Sequence, residues 1–237
     1  MIALSTSGLS LSFGAEEILK DISFSVNDGD RVGIIGVNGA GKTSLFRLIT
    51  GEYDMDAGAV YIQKGHSVGI LEQNPNLTAL PSDATCIEYM YTAFPEILSI
   101  EEEIRNTEKR LAECTDTDLS VSLVSSLTEL NRRHAALGGL EFRQRCRSML
   151  LRLGFEEELI EQKIKTLSGG QYTRLALARL LATEPDILML DEPTNHLDID
   201  ALTWLESFIA SYKKTVLLIS HDRYFLDKTT NKTLHIQ

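Results

Sequence analysis

A lysine and a threonine closing a glycine-rich octet are the first residues whose types and spacing point to chemistry. Gly36-Val37-Asn38-Gly39-Ala40-Gly41-Lys42-Thr43 fits G-x-x-x-x-G-K-[ST], with Ser44 leading into a helix-like segment. Glycines at 36, 39 and 41 permit backbone turns that a side chain would block, so successive N–H groups point inward at one anion. A helix N-terminus behind the loop adds partial positive charge. Lys42 supplies a full charge for terminal phosphates, and the Thr43 hydroxyl is a hard donor for Mg2+. The chemistry is a grip on a chain of phosphates.

Two further clusters qualify. Ile187-Leu-Met-Leu-Asp191-Glu192 is an apolar strand ending in two acids, which delivers carboxylates to the edge of a sheet where ligands bind. Asp191 would hold Mg2+, and Glu192 is placed to polarise an attacking water. Leu167-Ser168-Gly169-Gly170-Gln171 opens another helix with free N–H groups and a serine donor. A bare Ser-Gly-Gly is more often a simple helix cap, and spacing alone does not decide between the two.

These clusters need elements to position them. Up to about residue 80 the chain reads as strands: Leu9, Leu11 and Phe13 alternate with polar residues, as do Ile22, Phe24 and Val26. Asp28-Gly29 turns into the apolar run 31–35 immediately before the phosphate loop. From about 83 to 165 the period changes to that of helices. Ile97, Ile100, Ile104 and Leu111 mark one, Leu119, Leu123, Leu127 and Leu130 a second, and a third runs from about 140 to 153, closed by Gly154. From 166 onward strands and helices alternate: a helix at about 170–182, strands at 187–190 and 216–219, and a helix at about 198–212 between them. The expected architecture is α/β, with a mainly parallel sheet, antiparallel strands at the N-terminus and an inserted α-helical subdomain. The α/β core is expected at about 1–82 and 166–237, with the helical insert at about 83–165, in a single domain.

Composition narrows the function classes. Lys and Arg number 23 against 34 Asp and Glu, a formal charge of −11, which argues against a general nucleic-acid binder. Three cysteines without metal-ligand spacing read as reduced thiols. No apolar run approaches the roughly 20 residues that span a bilayer, and the N-terminus does not read as a signal peptide. A cytoplasmic protein without direct membrane insertion is expected.

Taken together, the three clusters resemble the ABC ATPase family of P-loop NTPases. Leu167 to Gln171 looks like its signature motif, with Asp191-Glu192 about 20 residues later. Ser220-His221-Asp222 after a strand looks like its switch histidine, and Gln73 takes the place of its glutamine loop. Glu192-Pro-Thr-Asn-His-Leu-Asp198 and Ser220-His-Asp-Arg-Tyr-Phe225 are similar to the ABC-F subfamily, soluble twin-cassette ATPases of which many act on the ribosome. The helical insert at about 95–138 also sits where ABC-F proteins carry an arm.

The resemblance implies ATP and Mg2+ as ligands. Phe13 would stack on the adenine; Gly36 to Ser44 would bind phosphates; Thr43, Gln73 and Asp191 would surround the metal. Glu192 would act as catalytic base, with Lys42 and His221 at the γ-phosphate. Ser168, Gly169, Gly170 and Gln171 would meet the nucleotide of a facing cassette, and Asp198 would lie at that interface. The implied partners are a second ABC cassette, in the same native chain or by dimerisation, and the ribosome or its RNA. A transporter's ATP-binding subunit is the competing reading.

Two features depart from the subfamily pattern. The chain holds one cassette, and the expectation is a first cassette cut before the linker to a second. The arm region, 96–145, carries ten acids against seven Lys and Arg, whereas a surface that grips RNA is locally basic.

Overall fold

The computed structural model describes residues 1–72 and 83–236, in two compact units: Met1–Leu80 with Ser168–Gln237, and Pro81–Leu167.

The first unit is built on two sheets. Strands β1 (Ile2–Phe13), β2 (Glu16–Asn27) and β4 (Ala57–Ile62) form an antiparallel sheet in the order β2-β1-β4. Strands β3 (Arg31–Ile35), β5 (Val68–Leu71), β6 (Ile187–Asp191), β7 (Thr215–Ile219) and β8 (Lys232–His235) form a parallel sheet in the order β5-β6-β7-β3-β8. Every residue of β6 and β7 is buried, as expected of central strands covered on both faces.

Helix α1 (Lys42–Thr50) shares one core with both sheets. Its Leu45, Phe46, Leu48 and Ile49 cluster with Leu4, Leu9 and Leu11 of β1, Ile34 of β3, Ile187 and Met189 of β6, and Leu217 of β7. Alternation along the strands puts Leu188, Leu190, Val216 and Leu218, also buried, on the opposite face. Helix α7 (Gly169–Thr183) lies against β5 so closely that a Cβ on Gly69 would come within 2.5 Å of Leu180 Cδ1. Helices α8 (Ile199–Ser211) and α9 (Arg223–Thr229) pack together.

The second unit is helical: α2 (Cys86–Tyr91), α3 (Pro95–Ala112), α4 (Thr117–Ala136), α5 (Phe142–Arg152) and the single turn α6 (Glu157–Ile160). A four-residue link joins α3 to α4, which pack on each other in the manner of a helical hairpin. The inward stripe of α4 is shorter than its leucines imply, because Leu123 is buried while Leu119 is exposed. The third expected helix starts at Phe142 rather than 140: Leu140 lies exposed in the turn, and Phe142 is the first side chain of that segment to enter the core.

The architecture is the expected one: a parallel sheet, antiparallel N-terminal strands and an inserted helical region. None of the described helices is long and apolar enough to cross a membrane.

Candidate functional site

The phosphate loop emerges from β3 into the N-terminus of α1. Gly39 and Gly41 adopt φ of 85° and 82°, the left-handed region that side chains disfavour. At Gly36 the limit is space, since a Cβ there would lie 2.6 Å from the carbonyl oxygen of Ile236. No side chain caps the start of α1, so its first N–H groups remain available to an anion. Lys42 is buried, and its Nζ donates to the carbonyls of Gly36 and Val37, each at 2.9 Å. The loop thus holds its own ammonium at the mouth of the cradle.

Two elements meet the cradle. At the C-terminal end of β6, the Thr43 hydroxyl donates to Asp191 Oδ2 at 2.6 Å. Burial lifts the Asp191 carboxyl above its ordinary pKa, opposed by the Thr43 hydrogen bond and by Lys42. Glu192 follows with φ of 51°, a left-handed turn that swings its side chain away from the strand direction. Its Oε2 accepts from the His221 backbone N–H at 3.3 Å, and its Oε1 is buried without a hydrogen-bond partner, 3.4 Å from His221 Nε2. At that separation the imidazole is near enough to attract Oε1 but not aligned to bond it. Burial raises the Glu192 pKa too, partly offset by the His221 backbone.

A cavity of about 410 Å³ opens between these groups, lined by Asn38, Gly39, Lys42, Thr43, Asp191 and Glu192 among others, with Ser44 and His221 at its wall. The residues fit a magnesium-phosphate group: paired hard oxygens at Thr43 and Asp191, an ammonium, uncapped helix N–H groups and an orphaned carboxylate oxygen all border one space.

Other expected residues lie elsewhere in the first unit. Phe13 ends β1 with its ring half exposed, 5.5 Å from the Tyr53 ring at an interplanar angle of 89°. Val37 is exposed on the loop, and Ala40 packs beneath it against the core. Gln73 lies outside the described residues. Ser168 N-caps α7 in a capping box: Gln171 N donates to Ser168 Oγ at 3.3 Å, and Ser168 N to Gln171 Oε1 at 2.9 Å. Gly169 opens that helix, and Gly170 follows with its Cα under the His196 ring, where a Cβ would sit 3.1 Å from His196 Cγ. Asp198 caps α8, accepting from Ala201 N at 2.8 Å. Both Ser168 and Asp198 therefore have a structural task besides any role at an interface.

Sequence reasoning missed Tyr53, Arg47 and Glu72. Arg47 Nη1 donates to Tyr53 Oη at 2.7 Å, and Arg47 Nη2 lies 3.8 Å from a Glu72 carboxylate oxygen. The available signal was Gly51, whose placement after a helix marks a C-cap and a turning chain.

Comparison with known proteins shows the family. A family model described as "ABC transporter" matches residues 19–195. Over 100% of its length the chain is 41% identical to the "Putative ATP-binding protein YdiF" of Bacillus subtilis (strain 168), covering 36% of that protein. It is 36% identical over 98% of its length to the "Tylosin resistance ATP-binding protein TlrC" of Streptomyces fradiae, covering 42%. It is 35% identical over 95% to "ABC transporter F family member 5" of Arabidopsis thaliana, covering 32%. The chain thus spans between 32% and 42% of the length of these curated relatives.

Among solved structures, it superposes on an ATP-binding subunit of an ABC transporter with a TM-score of 0.71 at 19% identity, covering 99% of this chain and 86% of that one. It also superposes on a dimeric, post-hydrolysis ATP-binding cassette bound to ADP and Pi with a TM-score of 0.66 at 21% identity, covering 99% and 94%. At those identities the likeness is one of fold. On this fold and these matches, the chain belongs to the ABC transporter family of ATP-binding cassette ATPases, with F family members among its relatives.

Proposed function

We propose that this chain is one cassette of an ABC-F-type ATPase that binds MgATP in the cavity beside Lys42, hydrolyses it, and couples the closure of two cassettes to work on the ribosome. The observation that supports the catalytic part is the convergence of Lys42, Thr43, Asp191 and Glu192 on one cavity.

In this reading Phe13 takes the base, and the loop from Gly36 through Ser44 takes the phosphates. Magnesium would supply positive charge to the phosphates, and Thr43 and Asp191, with Gln73, would hold it. Lys42 would exchange its two carbonyl partners for phosphate oxygens. Glu192 Oε1 accepts the proton of an incoming water, whose oxygen attacks the γ-phosphorus as the bond to ADP breaks. His221 lies beside that carboxylate and orients it through its backbone N–H. Ser168 to Gln171 present a second helix N-terminus to the nucleotide of the facing cassette, and Asp198 lies along the same seam.

The F-type assignment is supported by Asn195-His196 before Leu197-Asp198 and by F family relatives over nearly the whole chain. The test is co-sedimentation of the native gene product, carrying Glu192→Gln, with purified ribosomes. ATP-dependent pelleting is expected. Pelleting that ignores nucleotide, or none at all, removes the ribosomal part and leaves the ATPase part standing. Recovery of the native protein in a membrane complex would favour a transporter subunit instead.

A further inference from the structure

Helix α1 runs from the phosphate loop to the turn at Gly51. Its N-terminus carries Lys42 and Thr43, while its C-terminus at Thr50, at the end of nine residues, lies about 12 Å away at 1.5 Å per residue. There Gly51 adopts φ of 75°, and its left-handed turn sends the chain back on itself: Glu52 N and Tyr53 N both bond the carbonyl of Arg47. The turn places the Tyr53 ring against the core on one side and at right angles to Phe13 on the other.

Besides the core, Arg47 holds the Tyr53 ring in two ways. Its hydroxyl accepts from Arg47 Nη1, and the Arg47 guanidinium sits over the ring, 5.3 Å from its centroid. Arg47 is itself placed between Glu52 and Glu72, at 3.7 and 3.8 Å. Phe13 has no such support. It ends β1 at the hairpin, paired with Glu16, with 52% of its surface exposed. An edge-to-face contact, at 5.5 Å and 89°, restrains it on the Tyr53 side, in the geometry that aromatic pairs prefer. Two residues beyond Glu16, Ile18 lines the phosphate cavity, so Phe13 lies about 7 Å along the strand from that cavity.

We infer that Tyr53 is a positioning residue for the base of the nucleotide, propping the Phe13 ring at a right angle so that its open face is presented to a purine. The inference rests on the reading of Phe13 as the base platform. Tyr53 does not itself touch the base; it removes the rotational freedom that Phe13 would otherwise lose on binding. The carbon-only ring of Phe13 offers stacking and no hydrogen bond, so this corner recognises a flat aromatic base without selecting adenine over guanine.

Calorimetric titration of the chain with Mg-AMP-PNP and with magnesium tripolyphosphate, which carries phosphates but no base, separates the two ends. Phe13→Ala and Tyr53→Leu are each expected to weaken Mg-AMP-PNP about fivefold and to leave tripolyphosphate unchanged. Tyr53→Phe, which keeps the ring, should bind within about twofold of the parent. If Phe13→Ala has no effect, the platform reading itself fails. If Phe13→Ala weakens binding and Tyr53→Leu does not, the platform stands and the role of Tyr53 is overturned. Equal weakening of both ligands by Tyr53→Leu also overturns it, because the damage then lies in α1.

Discussion

The Thr43 hydroxyl and the Asp191 carboxylate, 148 residues apart in the chain, are joined by a 2.6 Å hydrogen bond. Asp191 is 3% exposed, and a charge so deep is tolerated only where something answers it. The bond ties the first turn of α1 to the end of β6. It aligns two hard oxygens on one point before any ligand arrives. Thr43→Val keeps the shape and removes the donor. Unfolding in urea should show a loss of about 1–3 kcal/mol, the penalty for a buried acceptor left unpaired. In magnesium titrations, the gain in nucleotide affinity on adding the metal should shrink about tenfold, a difference of about 1.4 kcal/mol. Nucleotide binding in EDTA should barely change. A magnesium dependence equal to that of the parent would remove Thr43 from the metal's surroundings.

Glu192 presents the opposite case, a buried carboxylate whose Oε1 lacks a partner. Burial raises its pKa above the ordinary 4.5, so the folded chain binds that proton more tightly than the unfolded one does. The associated stability is fully present below about pH 4.5 and is lost as pH rises through the folded value. At neutral pH the ionised group therefore works against the fold. Glu192→Gln should abolish turnover and retain nucleotide. Without nucleotide it should also melt about 2–4 °C higher at pH 7, an advantage that fades on acidification. A variant that melts at or below the parent at pH 7 would contradict this account of the site.

How much of this was legible depended on whether the signal lay within a few residues. The phosphate loop, the strand ending at Asp191 and the helices at α3 and α7 announce themselves through local period and glycine placement. Phe13 and Tyr53 do not, because their pairing depends on the left-handed turn at Gly51 and on the end of β1 meeting the segment between α1 and β4. Asp198 read as an interface residue by likeness, but its carboxylate also caps α8, which no motif distinguishes. The left-handed backbone at Glu192 and His196 was equally hidden, since glutamate is not a type enriched there and histidine, though enriched, adopts it too rarely for its presence to signal it. Leu119 looked like part of a buried stripe and is exposed, because spacing gives the face but not how far the neighbouring helix extends.

Ser168 offers a way to separate a cap from a catalytic partner. As the cap of α7 it accepts from Gln171 N, and Ser168→Ala should cost about 1 kcal/mol of stability for that reason alone. As a group facing another cassette's nucleotide, it should matter to turnover far more than to binding in its own cavity. Ser168→Ala and Lys42→Ala chains, each inactive alone, should regain phosphate release when mixed, because one intact loop then meets one intact serine. Release that stays at the level of the separate variants would confine Ser168 to the cap.

In the helical unit, Glu101 of α3 holds two partners from different segments: Arg143 of α5, by paired hydrogen bonds, one at 2.6 Å, and His134 of α4, at 3.2 Å. The Arg143 hydrogen bonds, then its charge and that of His134, hold the Glu101 carboxyl below its usual pKa of 4.5 against the pull of burial. The sign is therefore the reverse of that at Glu192. The stability is present above about pH 4.5 and is lost as pH falls through the lower folded value. Arg143 also lies over Phe142, 4.6 Å from the ring centroid, and over Tyr91 at 5.3 Å, so releasing it loosens α2 and α5 as well as the hairpin. Glu101→Gln should destabilise the unit by about 1–2 kcal/mol at pH 7, with the difference from the parent closing as the solution is acidified below the ordinary carboxylate range. Amide exchange in α3 to α5 should rise while α1 and β6 keep their protection. Equal loss of protection in α1 would show that the cluster supports the whole chain rather than its own unit.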